Sequence, residues 1–425
     1  MWLLLISFLV LLMLKFPVSA SLFISSWLYM ILNNLSMSLA VQRMISGVNS
    51  FTMLAVPGFI LAANLMSTTG ITDELFGFAR SIVGRFRGGM AYANVLNSVF
   101  FAGMSGSAVA DAAGPGQLEY QMMVKSGYKK PFSAAITASS AIIGPIIPPS
   151  ISLVIYASAT STSVGRLFIG SVIPGLMAAM SICIIIFSVA KKQDLPKDKP
   201  NSLREIWQSF RSAFFALLTP VIMMGGIMVG IFTPTEAAMV AVGYATIISL
   251  VRKRLTFKAF IDCLLDTVST TSMTMFIMAN ISIFSYLITI TRFPQTLAAF
   301  LTDNFTSKIL VLLLLNIFLV LVGCVMNPTP AIMILAPILL PTLLGYGVDA
   351  IHFGVFLSMA LCVGMCTPPV GMVLFVMQSY VKIKSEDMIK AILPYVVALY
   401  IVALIVSLIP QLTTWLPNLL LGPAG

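Results

Sequence analysis

The residues best suited to hold an ion or a small acid fall in two short stretches, GMSGS at 103–107 and GCVMNPTPA at 323–331. Both lie inside apolar sequence, and 45 residues beyond the first glycine of each stands a proline pair, Pro148-Pro149 and Pro368-Pro369. The blocks superpose without a gap at a constant offset of 220: Gly103 on Gly323, Gly127 on Gly347, Gly144 on Gly364, and one proline pair on the other. Glycine and paired proline interrupt helices. Inside a bilayer, an interruption strands amide and carbonyl groups that hydrocarbon cannot solvate, so it persists only where it lines a cavity or binds something. Amides at a helix start suit a carboxylate. Unwound carbonyls beside hydroxyls suit a small hard cation such as sodium. Two repeat-related sodium sites are therefore expected. One is Gly103, Ser105 and Ser107 with Gly144 and Pro148; the other is Gly323, Asn327 and Thr329 with Gly364 and Thr367. Small residues also let membrane helices pack closely. The added serines, the doubled prolines and the repeated spacing favour a site.

Few ionisable residues interrupt the apolar blocks. Asp111 stands one helical turn past the first tip, and a carboxylate at membrane depth is costly enough to default to a functional reading. It could orient a substrate hydroxyl or ammonium, shape the cation site, or cap the return helix. Glu119, two turns further on, is expected at the interface near the next loop. Glu236, in FTPTEAA, reads as a helix-start carboxylate. Arg292, in SYLITITRF, is either a snorkelling interface arginine or a bidentate partner for a substrate carboxylate. His352 is the only histidine, lies at a loop exit and has no assigned role. Cys183, Cys263, Cys324, Cys362 and Cys366 have no histidine or carboxylate beside them and read as buried small hydrophobes.

A membrane fold must position these residues. The chain is 59% hydrophobic and 9% charged, against about 25% charged in soluble domains. Its apolar runs are too continuous for a barrel, so helices are the spanning element. The net charge of +10 gathers in loops, as membrane orientation requires, and forms no nucleic-acid footprint. Lys15 follows the apolar run 2–14 rather than preceding it, so that run is expected to stay as the first membrane segment.

Residues 1–70 are expected to form scaffold helices, and 71–87 an interfacial arm with Leu75, Phe78, Ala79 and Ile82 on one face. A first transport repeat covers 88–190. Its stretch 88–124 has basic residues on both flanks and is too short for two spans of about 20 residues and a turn. It is therefore expected as a re-entrant hairpin of half-depth helices meeting at Gly103–Ser107, followed by a broken helix at 131–160. Residues 191–258 hold basic loops and two central scaffold spans, and 259–307 a scaffold helix and a second arm at 293–305. The second repeat, 308–390, has its hairpin at 308–345 and its broken helix at 351–380; 391–425 is a C-terminal helix. The loop 126–130 is basic, whereas its mate 346–350 carries Asp349; 160–166 holds only Arg166, whereas 380–390 holds Lys382, Lys384 and Lys390. The halves thus face opposite ways. The fold expected is an all-α polytopic membrane protein built as an inverted repeat.

GMSGSAVADAAG, SGYKKPFSAA, GPIIPPSISLVIYASAT, GIFTPTEAA, MNPTPAIMILAPILLP and CTPPVGMVLFV resemble the large membrane subunit of the tripartite ATP-independent periplasmic (TRAP) transporters. The resemblance runs over essentially the whole chain. It implies an elevator-type importer of organic acids driven by sodium, no enzymatic activity, and a place in the bacterial inner membrane. It also implies a small four-helix membrane subunit and a soluble periplasmic substrate-binding protein as separate polypeptides. By this resemblance Ser105, Ser107 and Asp111 match the substrate side of the first hairpin, with Ser152 and Arg292 as further contacts. The dicarboxylate branch tends to a small polar residue where Asp111 stands, and SGSAVADAAG looks more like the sialic-acid branch. An acid there suits a polyhydroxylated sugar acid better than a second carboxylate. The competing readings are a self-sufficient carboxylate carrier, a channel, and a membrane enzyme; the last usually shows interfacial carboxylate or histidine clusters, which this chain does not.

Overall fold

The computed structural model describes residues 2–14, 16–193, 195–198, 200–293, 295–296, 299–300, 305, 307–368, 371–381 and 383–422. Regular structure among them is entirely helical. Seven helices are long and apolar enough to cross a membrane: Val164–Lys192, Leu203–Met228, Pro234–Val251, Phe257–Ile290, Lys308–Val325, Pro328–Gly345 and Ser385–Leu408. Large apolar side chains such as Ile184, Phe187, Val221, Met239 and Met273 stand more than half exposed on their outer faces. Water penalises such a belt and lipid does not.

The helices Trp2–Met13, Val18–Leu32, Met37–Val48 and Ala55–Thr68 gather with Pro234–Val251 around the long helix Phe257–Ile290 as one scaffold. Helix starts are set locally. Ser202 with Glu205, and Thr233 with Glu236, form capping boxes, so Glu236 is the helix-start carboxylate its sequence suggests. The arm helix Ile71–Val83 buries Leu75, Phe76 and Ala79. Its charged residues pin it to the loops: Glu74 pairs with Arg252 and Arg254, and Arg80 with Asp198 at 2.7 Å. The segment around Pro196 straps this corner together. The Pro196 carbonyl accepts from the Gly88 amide and the Tyr128 hydroxyl, both at 3.0 Å.

The two hairpins differ from expectation in useful ways. The first descends as Gly89–Ser105 and returns as Ala108–Ala113, but the return arm breaks again before Pro115–Lys125. Pro115 has no amide to donate and disfavours helix at Gly114, so a single return helix cannot form. The second hairpin, Lys308–Val325 and Pro328–Gly345, has a continuous return arm. At 1.5 Å per residue the long arms measure about 25–27 Å, well beyond half of a ~30 Å hydrocarbon core. Half-depth helices were expected; arms this long reach a midplane tip only when strongly tilted.

The first broken helix is Lys130–Ala141, turns through 142–149 with a cis Pro148-Pro149 bond, then Ile151–Thr160. The second is Ala350–Met365 and Met372–Tyr380. Pro369, Lys382 and most of the expected second arm at 293–305 lie outside the described residues. The polar stretch 191–211 is helical from Leu203, and the single C-terminal helix expected is two, Ser385–Leu408 and Gln411–Leu421. Each broken helix was expected to pair with the hairpin of its own repeat, and its first half does so: Lys130–Ala141 packs on Gly89–Ser105, and Ala350–Met365 on Lys308–Val325. Its second half crosses to the other. Ile151–Thr160 lies on Pro328–Gly345, and Met372–Tyr380 lies on Ala108–Ala113. The Tyr156 hydroxyl donates to the Ala350 carbonyl at 2.7 Å, and the Tyr380 hydroxyl to the Ala112 carbonyl at 2.9 Å.

Candidate functional site

Both hairpin tips and both helix breaks open onto one cavity of about 310 Å³. Its walls come in pairs at the repeat offset: Ser107 and Asn327, Ala108 and Pro328, Val109 and Thr329, Pro145 and Met365, Ser152 and Met372. Ser105 and Gly106 complete the first tip. The scaffold supplies the remaining wall through Ile60 and Asn64 of Ala55–Thr68 and Thr270 and Thr274 of Phe257–Ile290.

Local chemistry explains the tips. Ser107 and Asn327 are the N-caps of the two return arms. The Ser107 hydroxyl accepts from the Ala110 amide at 3.4 Å, and the Asn327 side-chain carbonyl accepts from the Thr329 amide at 3.1 Å. Gly106 adopts φ 57°, and a Cβ on it would lie 2.7 Å from the Pro149 carbonyl oxygen. Only glycine fits there, because the tip rests main chain to main chain on the first break. In the second repeat the close approach is between Gly323 and Gly364: a Cβ on Gly364 would lie 2.5 Å from the Gly323 carbonyl carbon.

The predicted cation residues therefore divide. Ser105, Ser107, Asn327 and Thr329 face the cavity, as does Ser152. Gly103, Gly144, Pro148, Gly323, Gly364 and Thr367 are not among its lining residues. Gly103 makes room for Pro220, whose Cβ would stand 2.5 Å from an added Cβ. Gly323 and Gly364 are close-packing positions, and the Thr367 hydroxyl donates to the Val363 carbonyl of its own helix at 2.8 Å. Gly144 stands behind the tip, where a Cβ would lie 3.7 Å from the Ser107 carbonyl oxygen.

The donors suit a hard monovalent cation. They are hydroxyls, one side-chain amide and main-chain carbonyls. At Gly371 (φ 36°) the Met365 and Thr367 carbonyl oxygens converge to 2.9 and 3.0 Å from where a Cβ would stand. In the first repeat the Pro149 carbonyl oxygen comes close to Gly106, 2.7 Å from where a Cβ would stand. Hydroxyl, amide and carbonyl oxygens are ligands for hard ions; among the described residues no three histidine, cysteine or carboxylate side chains come together.

Asp111 is 1% exposed and lies behind the first tip, outside the cavity lining. Ser98 is close enough to act on it, yet neither carboxylate oxygen makes a hydrogen bond among the described residues. Glu119 does not reach the interface as expected. It is 1% exposed and accepts a hydrogen bond from the Asn97 side-chain amide, because Pro115–Lys125 is packed between Gly89–Ser105 and Lys130–Ala141. Arg292 ends the long scaffold helix, exposed and away from the central cavity, so it cannot meet a substrate carboxylate there. His352 stands at the loop exit, in the first turn after the N-cap Asp349, and is buried there. Its Nδ1 lies 2.9 Å from the Thr413 hydroxyl and its Nε2 3.0 Å from the Ser407 carbonyl, which ties the second broken helix to the C-terminal helices. Sequence reasoning missed Asn64, a lone polar residue in an apolar helix, and Thr270 and Thr274, which belong to the hydroxyl-rich run TVSTTSMT at 267–274.

Paired hairpins and paired broken helices closing on one polar cavity, inside a bundle of membrane-length helices, define a multispan membrane transport protein. The fold is similar to that of the Alcanivorax borkumensis YdaH transporter, with a TM-score of 0.62 over 89% of each chain at 14% identity. Residues 5–412 match the family described as tripartite ATP-independent periplasmic transporter, DctM component, and the chain belongs to that family. It is 39% identical, over 96% of each chain, to the sialic acid TRAP transporter large permease protein SiaM of Vibrio cholerae. It is 40% identical, over 87% of this chain and 86% of the other, to the C4-dicarboxylate TRAP transporter large permease protein DctM of Pseudomonas aeruginosa. The chain is a permease and not an enzyme.

Proposed function

We propose that this permease imports an organic acid, foremost sialic acid, with sodium across the bacterial inner membrane. The observation that supports this best is the meeting of both tips and both breaks at one cavity. The start of Pro328–Gly345 brings the positive end of a helix to that cavity, where a carboxylate is favoured. Sodium, when bound, supplies the positive charge that the neutral walls lack and couples uptake to its gradient. Ser105, Ser107, Asn327 and Thr329 are the side chains placed to hold ion and carboxylate, with the converging carbonyls behind them.

Substrate choice follows from the rest of the lining. No lysine or arginine is among the cavity residues, so a second substrate carboxylate would lack a counter-charge. Asn64, Ser152, Thr270 and Thr274 offer hydrogen bonds to hydroxyls, which favours a polyhydroxylated monoacid. The sialic acid relative agrees with this choice. Asp111 acts on the tip from behind and does not touch the substrate. The interlocked repeats travel together past the scaffold in an elevator movement, a soluble periplasmic binding protein delivers the acid, and a small four-helix subunit completes the membrane complex.

The test is uptake into proteoliposomes carrying the chain and the small subunit, with binding protein outside. Saturable sialic acid uptake that needs sodium is expected, abolished in Ser107→Ala and Asp111→Ala without loss of expression or assembly. Robust uptake without any binding protein overturns the tripartite reading. Uptake indifferent to sodium overturns the coupling, and a dicarboxylate preferred over sialic acid overturns the substrate.

A further inference from the structure

A second cavity, of about 580 Å³, lies between the N-terminal helix and the second hairpin. Leu5, Phe8 and Leu12 form one wall, and Leu315, Val322 and Leu335 another. Phe284, Ile288 and Phe293 close the end where the long scaffold helix finishes. Among the described residues Thr342 is the one lining residue that is not apolar, too few polar partners for a water, which needs two or more. Its rim includes Ile6, Leu9, Leu314 and Phe318, exposed by 55, 56, 44 and 46%. That rim is apolar like the outer faces of the membrane-length helices, a surface that lipid accommodates and water penalises.

Two cations mark one end of this groove. Arg292 directly precedes the lining residue Phe293, and Lys308 opens the hairpin one turn before the lining residue Val311. Fewer residues separate Arg292 from Lys308 than the ~20 a membrane crossing takes, so both sit at the same face of the bilayer. Lys308 Nζ donates to the Gly347 carbonyl at 2.8 Å, which fixes it at the hairpin's base. Arg292 is exposed at the end of the long scaffold helix.

We propose that this groove is a phospholipid site, with one acyl chain lying along its apolar walls and the phosphate held at the Arg292 and Lys308 end. The assignment gives Arg292 a partner that the central cavity does not offer it. Its walls belong to different parts of the molecule, Trp2–Met13 and Phe257–Ile290 on the scaffold side and the hairpin on the other. The bound chain therefore bridges scaffold and repeat. The proposal is independent of which acid is transported. A free fatty acid shares the acyl chemistry but carries a carboxylate in place of the phosphodiester.

The full chain, purified in detergent and stripped of lipid, is titrated with phosphatidylglycerol or palmitate and read by native mass spectrometry and thermal unfolding. One phosphatidylglycerol per chain and a rise in unfolding midpoint are expected. Leu335→Trp, which fills the groove, weakens binding at least about tenfold, as loss of two or more buried methylenes would. Arg292→Gln with Lys308→Gln weakens phosphatidylglycerol binding while the groove remains open. Should Leu335→Trp not fold, Phe318→Trp at the rim reports instead: dibrominated phosphatidylglycerol quenches its added fluorescence, and unbrominated lipid restores it. Equal lipid binding by wild type and Leu335→Trp, no quenching at residue 318, or tighter binding of palmitate than of phosphatidylglycerol overturns the proposal.

Discussion

The two repeats set matching residues around the central cavity but hold themselves together by different means. In the first, Asn94 donates to the Thr137 hydroxyl at 2.9 Å and accepts from the Ser140 hydroxyl at 2.6 Å, all three buried, while Asn97 donates to Glu119. The corresponding positions in the second repeat are Leu314, Leu357 and Ala360. There the hairpin lies against its broken helix through the main-chain contact of Gly323 with Gly364 and Leu361. Asn316, fully buried in the same arm, has neither side-chain oxygen nor nitrogen hydrogen-bonded among the described residues. Symmetry at the cavity is thus carried by backbone interruptions and N-caps. The supporting side chains behind them have been free to diverge.

The largest effect should come from the glycine contact. Gly323→Ala sets a Cβ 2.2 Å from the Leu361 carbonyl oxygen, and since backbone cannot swing aside the cost is about 3 kcal/mol. Gly345→Ala, with nothing within 4 Å, should leave the unfolding midpoint of the purified chain unchanged. Equal midpoints for these two variants would dissolve the distinction between the repeats. Next comes Asn94→Leu, which removes the donor to the buried Thr137 hydroxyl and leaves the Ser140 hydroxyl with the Thr137 carbonyl alone, and costs about 1–3 kcal/mol. Writing the second repeat's residues into the first, with Asn94→Leu, Thr137→Leu and Ser140→Ala together, should recover part of that loss. A triple variant no more stable than the single one would show that shape, not polarity, decides.

The caps are a smaller and more symmetrical matter. Ser107→Ala and Asn327→Ala should each cost about 1 kcal/mol in unfolding free energy. Asn327→Ala should also shift the sodium activation curve of uptake to higher concentration; an unmoved curve would remove the second cation site from the comparison. Smallest is Asn316→Leu, which should stabilise the chain by up to about 1 kcal/mol, because an unsatisfied amide leaves the interior. A clear loss of stability there would mean that Asn316 has a partner.

Much of this was legible because glycine and proline act through local sterics. The tips, the breaks and their shared register need no knowledge of what lies next door. The Gly114-Pro115 break carried the same signal but lay inside a stretch already assigned to a return helix. Arm length was invisible too, since flanking charges say on which side a segment ends and nothing of how far its helices run. Glu119 was misplaced, and the alternatives for Asp111 and Arg292 stayed open, for another reason. Their apolar neighbours indicate membrane depth, but not whether a side chain faces a cavity, a packed interior or lipid. The Asn94, Thr137 and Ser140 set joins residues on separate helices, and nothing in either helix alone announces the pairing.

The crossed arrangement of the broken helices has a consequence for biosynthesis. Ala112 waits for Tyr380, made 268 residues later, and Tyr156 for Ala350, made 194 residues later. At ~5–20 residues per second the first interval is on the order of tens of seconds. Throughout it the nascent first repeat sits in the bilayer with the surface meant for Met372–Tyr380 uncovered. A chain cut short before Met372–Tyr380 would therefore leave the first repeat's centre open.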